Sequence, residues 1–428
     1  LRVLVLGAGA REHALFWKCL QSPQVEMVYA GPGNGATQVL NASIALSPTD
    51  PSAVFRAVSD LGIDLTVIGP DDAVAAGVAD RLEAERKPVF GPTAAAGRLE
   101  SSKAFAKEVM AAAGVPTARF EPFTNAAPAR DYARAQGAGL VVKADGLALG
   151  KGVIVCETVD DTIAAIDRVM VDKAFGDAGN SVILEERMTG PEVSVMCFCD
   201  GDVAKPMVPA RDYKRAGEGD TGPNTGGMGV YSPPSDCPPE LVDMIVRTCA
   251  QPVLDELRRR RTPYRGCLYV QVMLTADGPR VIEYNARFGD PEAQVVLPRL
   301  KTDFVDLMMA CTRGGLAHWE PEWSNDATVG VVLASGGYPG KYAKGARIEG
   351  LSRLDPGVIP FHAGTSYASG DFFTNGGRVL TIVATGGNVR EARDRAYDNV
   401  RRVSFDGSFF RRDIAQIELQ AGAPAMED

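Results

Sequence analysis

The chain has 428 residues, with 45 Lys plus Arg against 54 Asp plus Glu, a formal net charge of −9. An acidic chain has no general attraction for phosphate backbones, which argues against sequence-independent nucleic-acid binding. A composition of 45% hydrophobic and 23% charged residues excludes a disordered, collagen-like or coiled-coil protein. No apolar run reaches the roughly 18 residues that a membrane helix needs. At about 150 residues per domain, the length predicts about three domains. The opening LRVLVLGAGAREHA reads as a strand and a Gly turn, not as a secretory leader. Eight cysteines include no CxxC pair, and several lie in apolar runs such as VMCFC, so a reducing cytoplasm without disulfides is expected. His13, His318 and His362 are far apart in sequence, which predicts no His-rich metal site.

Over the first hundred residues, apolar runs of strand length (RVLVLG, VEMVYA, DLTVIG, PVFG) alternate with helical stretches at 12–20, 52–61 and 73–85. Buried strands alternating with helices predict a doubly wound parallel sheet. A helix follows over 102–113, with Phe105, Val109 and Ala112 on one face and a stop at Gly114. From 118 to 325, strands come in runs and hairpins, with a two-residue turn expected at Asp200-Gly201. A helix over 160–171 carries Ile163, Ile166 and Met170 on one face. This part reads as α+β in two lobes. The last hundred residues are β-rich, with one amphipathic helix after Val389 bearing Ala392, Ala396, Val400 and Val403.

Three turns, GAGAREH, GPGNG and GPDD, close consecutive strands of the first domain. In an open parallel sheet they share the carboxyl edge, where ligands bind. Gly9, Arg11, Asn34 and Asp71 are the substrate-binding candidates there. Glu12 stands where a dinucleotide fingerprint needs its third Gly, and no acidic residue ends the second strand, so an NAD site is weakly supported. A tight turn and a phosphate or sugar site at the helix N-terminus both remain open readings. In VVKADGLALGKGVIV, a strand ending at Lys143 leads into a loop with Gly146, Gly150, Lys151 and Gly152. Glycines let backbone N–H groups crowd an anion, and the lysines add charge. Glu185, Glu186 and Glu192 flank the next inter-strand connection, where adenine and ribose could find partners.

The 25 residues Ala210–Pro234 include six Gly and few large aliphatics. A coreless loop of this length is either functional or disordered, and Arg211, Asp212, Lys214, Arg215, Asn224 and Thr225 favour contact with a charged ligand. The sharpest cluster is VIEYNARFGDPEAQ. Residues i and i+2 share a strand face, so Glu283 and Asn285 point one way and Ile282 and Tyr284 the other. A carboxylate beside an amide oxygen suits Mg²⁺ or Mn²⁺, which takes its remaining ligands from water and phosphate. Arg287, Asp290 and Glu292 follow, and Gln271 joins only if the hairpin register faces it inward. At the C-terminus, GGYPGKY, FHAGT and TNGGRVL are Gly turns with cations at Lys341 and Arg378, either ordinary hairpins or a phosphate closure.

In order along the chain, GAGAREHAL, GPTAAAGRLESSKAF, VVKADGLALGKGVIV, GPNTGGMGVYSP, EYNARFGDPEAQ, GGYPGKY, FHAGT and TNGGRVL resemble the ATP-grasp ligases, and among them the phosphoribosylamine–glycine ligases. The resemblance spans nearly the whole chain. It implies α/β and α+β multidomain architecture. Its parts are an N-terminal doubly wound substrate domain (1–102), a two-lobed ATP-grasp (small lobe and linker 103–190, large lobe with metal site 191–326) and a C-terminal β-rich domain (327–428). It implies that ATP, glycine and 5-phosphoribosylamine give glycinamide ribonucleotide, ADP and phosphate through a glycyl phosphate; a cytoplasmic monomer without nucleic-acid or membrane partners is expected.

By the same resemblance, Glu283 and Asn285 hold the metal. Lys103 and Lys143 meet the nucleotide phosphates, Glu185 and the backbone near Arg187 face adenine, Glu192 faces ribose, and the loop 146–152 closes on ATP. Arg287, Asp290 and Asp212 are the catalytic candidates. Together with Glu292 they are expected near glycine and its activated form, and Lys214, Lys341 and Arg378 are further substrate-binding candidates. Two positions depart from the family pattern: Tyr213 stands where His is usual, and Asp71-Asp72-Ala73-Val74 replaces Glu followed by Pro-Leu. The bottom-up chemistry agrees, since phosphoryl transfer needs charge neutralisation and alignment more than an imidazole.

Overall fold

The computed structural model describes residues 1–146 and 152–421. Four parallel strands, β1 (Arg2–Gly7), β2 (Met27–Pro32), β3 (Leu65–Ile68) and β4 (Val89–Phe90), form a sheet in the order β2-β1-β3-β4. Val3 to Leu6 and Leu65 to Ile68 are buried, as continuous apolar strands covered on both faces require. The helix expected over 73–85 is instead two, Asp71–Ala75 and Val78–Ala84, because Gly77 takes φ 78° between them. Helix Lys103–Ala113 follows, capped by the Ser102 hydroxyl and stopped by Gly114 at φ 68°. Its buried face is Phe105, Ala106, Lys107, Val109 and Met110, whereas Ala112 faces solvent, a correction to the expected face.

The second sheet contains β5 (Phe120–Phe123), β6 (Val141–Ala144), β7 (Val153–Val155) and β8 (Val182–Glu185), in the order β5-β8-β6-β7. Helices Ala126–Gln136 and Val159–Ile166 pack on it through a small core of Ala133, Val142, Ile166 and Leu184. The third sheet pairs β9 (Glu192–Asp200) with β10 (Ala204–Pro206). The hairpin turn is centred on Gly201-Asp202, one residue later than expected, since the Asp200 N–H donates to the Val203 carbonyl. The Asp200 carboxylate accepts from the Asp202 and Val203 N–H groups, which fixes that register.

Residues 210–234 are ordered: β11 (Arg211–Asp212), β12 (Arg215–Gly217), β13 (Thr221–Asn224) and β14 (Gly229–Ser232). β12 and β13 pair as an exposed hairpin. β15 (Arg265–Thr275) and β16 (Gly278–Asn285) complete the third sheet in the order β10-β9-β15-β16. In the last hundred residues lie β17 (Ala327–Ala334), β18 (Arg347–Ile348), β19 (Ile359–His362), β20 (Thr365–Ala368), β21 (Asp371–Thr374) and β22 (Arg378–Gly386). One sheet, β11-β14-β17-β22-β19, runs across residue 326 and joins the glycine-rich segment to the C-terminal strands. Helix Val389–Val400 buries Ala392, Ala396 and Val400 against it.

Four aromatic rings tie the first domain to the third sheet. Phe288 packs on Phe90 (5.9 Å), Phe198 (6.3 Å) and Phe304 (5.9 Å). Each ring removes a large apolar area from water, and Phe288 thereby anchors the turn that follows β16. All eight cysteines are buried thiols. Among the described residues no helix is long and apolar enough to cross a membrane.

Candidate active site

A cleft of about 1410 Å³ opens between the small-lobe sheet, the large-lobe sheet and the C-terminal segment. On its floor, β15 and β16 pair with Gln271 opposite Glu283 and Tyr269 opposite Asn285. The register therefore faces Gln271 toward Glu283. It then slips: Val272 pairs with Val281, leaving Ile282 as an extra, bulged residue. Strict alternation, which placed Ile282 with Tyr284, fails here. Ile282 lines the cleft, and its carbonyl accepts from Lys143 Nζ at 3.0 Å. The Tyr284 hydroxyl instead donates into the interior, to the Cys249 carbonyl.

Around Glu283 stand Lys214, Lys103, Lys143 and Arg287. Burial pushes its carboxyl up, and these four cations, Lys214 foremost, bring it below the ordinary value. Among the described residues, its side chain has no hydrogen bond or ion pair. A charged carboxylate without a partner, in a cleft, is suited to a cation. The Asn285 amide oxygen accepts from Arg287 Nη2 at 3.0 Å and keeps a second lone pair. The described residues contain no group of three His, Cys, Asp or Glu able to hold a metal. Two protein donors therefore fit only an ion that completes its shell from water and phosphate.

On the small-lobe side, Glu185 is buried between two lysines, Lys143 at 3.0 Å and Lys107 at 3.1 Å. Glu185, expected to face adenine, has its carboxylate paired with both lysines. Lys107 also donates to the Thr117 hydroxyl at 2.7 Å, and burial lowers its pKa to about 8 against the pull of Glu185. Lys103 Nζ donates to the Gly146 carbonyl at 3.3 Å. Glu186 lines the cleft, but its carboxylate is taken by Arg119 and Arg280, each at 2.7 Å. Gly152 also lines the cleft, while the expected Gly150 and Lys151 lie outside the described residues.

Glu192 begins β9 and accepts from Lys214 (3.0 Å) and Gln271 Nε2 (2.7 Å). Asp212 is pushed up to about 7, chiefly by burial, with Glu292 and Glu192 adding to it and Lys214 opposing. Glu292 is buried, where Tyr269 donates to it at 2.8 Å and Ser194 at 3.3 Å. Arg287 is clamped by Glu100 at 2.9 Å. Asp290 pairs with Arg378 at 2.8 Å and accepts from Gln294 at 2.7 Å.

The first domain contributes Arg11 and Asp71 to the cleft wall. Glu12 accepts from the Gly9 N–H at 2.6 Å and from Arg11 Nε at 2.5 Å. Its carboxylate thus occupies the helix N-terminus where a dinucleotide phosphate would sit, and a Cβ on Gly7 or Gly69 would strike it. Gly9 lies beside Asp290, whose Oδ2 would be 3.6 Å from a Cβ there. Asn34 does not join the cluster. Its amide nitrogen donates to the Ala8 and His362 carbonyls and its oxygen caps the next helix, so the side chain is spent on holding domains together. Lys341 is exposed and away from the cleft lining. Glu100, Lys107 and Glu12 are not among the expected site residues; Glu100 lies in the motif GPTAAAGRLESSKAF and Lys107 two residues beyond it, and both line the cleft.

Three family models tile the chain: the phosphoribosylglycinamide synthetase N domain (residues 1–100), its ATP-grasp domain (101–293) and its C domain (328–417). The chain belongs to the phosphoribosylglycinamide synthetase family. Within that family, phosphoribosylamine–glycine ligase of Vibrio parahaemolyticus is 44% identical over 418 residues, covering 97% of each chain. The trifunctional purine biosynthetic protein adenosine-3 of Gallus gallus is 46% identical over 420 residues, 96% of this chain and 42% of its own length. The crystal structure of phosphoribosylamine–glycine ligase from Thermotoga maritima matches with a TM-score of 0.85 at 34% identity, covering 97% of this chain and all of the other. The biotin carboxylase domain of Hydrogenobacter thermophilus 2-oxoglutarate carboxylase, a complex with MgADP, has TM-score 0.73 at 16% identity over 99% of each chain, a likeness of fold.

Proposed function

We propose that this chain joins glycine to 5-phosphoribosylamine at the expense of ATP, giving glycinamide ribonucleotide, ADP and phosphate, a step of purine biosynthesis. The observation that carries the reading is Glu283: ionised, unpartnered among the described residues, and surrounded by Lys214, Lys103, Lys143 and Arg287. Such a ring of cations around one free carboxylate suits a polyphosphate with its counter-ion. Glu283 and Asn285 would hold Mg²⁺ or Mn²⁺, which neutralises phosphate charge when bound. Lys143 and Lys103 bind the nucleotide phosphates, with Glu185 and Lys107 fixing Lys143. Glu192, Gly146 and Gly152 complete the nucleotide side, with Glu186 as a wall held by its arginines.

Arg287 and Lys214 orient the glycine carboxylate toward the terminal phosphate. A carboxylate is a poor electrophile because its oxide cannot leave, and phosphorylation converts it to glycyl phosphate with a good leaving group. The amine of phosphoribosylamine then attacks the acyl carbon and phosphate departs. Asp212, Glu292 and Asp290 surround the ammonium end of glycine and the incoming amine. Arg11, Asp71, Gly9 and Arg378 form the wall nearest the sugar phosphate. Acyl phosphates hydrolyse in water, so a small lobe closing over the cleft protects the intermediate. The four-part division at 102, 190 and 326 describes these roles. The enzyme is read as a cytoplasmic monomer without nucleic-acid or membrane partners.

A coupled assay for ADP release, leaving out each substrate in turn, tests the reading. ADP must require both glycine and phosphoribosylamine, and bicarbonate, formate and larger amino acids must not replace glycine. Activity only with one of these replacements would reject the assignment.

A further inference from the structure

We infer that Arg411, in the C-terminal segment, is a positioning residue for the glycine side of the cleft, acting through Tyr213 and the β12–β13 hairpin. The inference rests on the proposed ligation of glycine.

Arg411 is buried, with 1% of its surface exposed. Its guanidinium makes a fork with Asp413 (2.8 and 2.6 Å). It also donates to the Asp220 carboxylate at 2.8 Å and to the Arg215 carbonyl at 2.9 Å. It lies 4.9 Å over the ring of Tyr213. The backbone of Arg411 is itself fixed, since Tyr397 of helix Val389–Val400 donates to its carbonyl at 2.7 Å. This one residue therefore joins three parts of the chain: its guanidinium holds the hairpin at the cleft rim and the Tyr213 ring, and its backbone carbonyl is tied to the C-terminal helix.

Tyr213 stands between Asp212 and Lys214. Side chains alternate along an extended strand, so a ring packed under Arg411 leaves its two neighbours directed to the other face. There Lys214 reaches Glu192 and Asp212 is flanked by Glu292 and Glu192. The Tyr213 backbone exchanges hydrogen bonds with Met228 and Gly229, which prevents rotation of the strand. The hairpin adds two further ties to the same segment. Gly219 N–H donates to Asp413 at 2.9 Å and Arg412 N–H to Glu218 at 3.2 Å. Asp413 and Gln416 line the cleft beside Tyr213 and Arg215. A planar five-donor group suits this multiple grip, and Lys cannot reproduce it.

The test compares wild type with Arg411→Ala, Arg411→Lys and Asp413→Asn in the full chain, by steady-state kinetics and limited trypsin digestion. Arg411→Ala raises the KM for glycine at least tenfold, changes the KM for ATP less than twofold, and exposes the hairpin to cleavage at Arg215. Arg411→Lys recovers less than half of the loss. Should Arg411→Ala not fold, Asp413→Asn carries the test, with at least a threefold rise in glycine KM. Equal changes in both KM values, or an unchanged glycine KM in the folded variants, would overturn the inference. A wild-type enzyme that releases no glycine-dependent ADP would instead refute the underlying function.

Discussion

Lys143 and Glu185 face each other 3.0 Å apart across adjacent strands β6 and β8, and the second oxygen of the same carboxylate meets Lys107 at 3.1 Å. Two lysines on one buried carboxylate leave a net positive charge at the cleft wall. Lys143 is held upright by this pair and by the Ile282 carbonyl from the opposite lobe. It is therefore a preformed cation on the cleft wall and also a contact between lobes.

Lys143→Ala is expected to weaken ATP binding at least tenfold in calorimetric titration. It leaves Glu185 still paired with Lys107, so what is lost is one charge-assisted hydrogen bond, about 1.5–3 kcal/mol, rather than the partner of an orphaned charge. The melting temperature falls with it. Undiminished ATP affinity would show the lysine to be merely structural.

Glu283→Gln keeps the shape of the side chain but removes its charge and replaces one acceptor oxygen by an NH2 donor. Loss of one such electrostatic group lowers kcat by about 100-fold or more. The dependence of ADP release on Mg²⁺ concentration shifts to higher metal. Because four cations hold Glu283 ionised below its ordinary pKa, neutralising it also lowers the melting temperature at neutral pH. Unchanged metal dependence would count against the assignment.

Asp212 gives a pH signature. Its folded value of about 7 exceeds the ordinary 3.8, mainly through burial. Between those values the native state binds more protons than the unfolded state, so this group's contribution to stability falls as pH rises through the window and is flat above it. The melting temperature of Asp212→Asn, measured against wild type from pH 4 to pH 8, should gain on wild type up to about pH 7 and then run parallel. A constant difference across the range would contradict this environment.

Glu12→Ala removes the acceptor of both Gly9 N–H and Arg11. Leaving buried donors unsatisfied costs about 1–3 kcal/mol each, readable as a shift in the urea midpoint. Wild type should show no NAD-dependent stabilisation, because the helix N-terminus already holds a carboxylate.

Much of this was legible from the chain. Alternating apolar runs and helical stretches specify the parallel sheet because burial on both faces leaves no polar option at Val3–Leu6 or Leu65–Ile68. Glu283 and Asn285 stand out because charge at alternating strand positions has no place in a core. What escaped was set by distant partners. The bulge at Ile282 follows from pairing with β15, which local pattern cannot fix. The ion pairs of Glu185 could not be read from the chain because its lysines are 78 and 42 positions upstream in sequence. Residues 210–234 looked coreless because much of their anchoring is supplied from elsewhere, by Arg411 and by β17. Asn34 looked available because its acceptor on His362 lies 328 residues away.

The sheet that crosses residue 326 makes the protein hard to divide. β14 is flanked by β11 on one side and by β17 on the other. A polypeptide ending before Ala327 would keep most of the cleft floor but present β14 with a bare edge, an invitation to aggregate. Gene fission at that point is disfavoured.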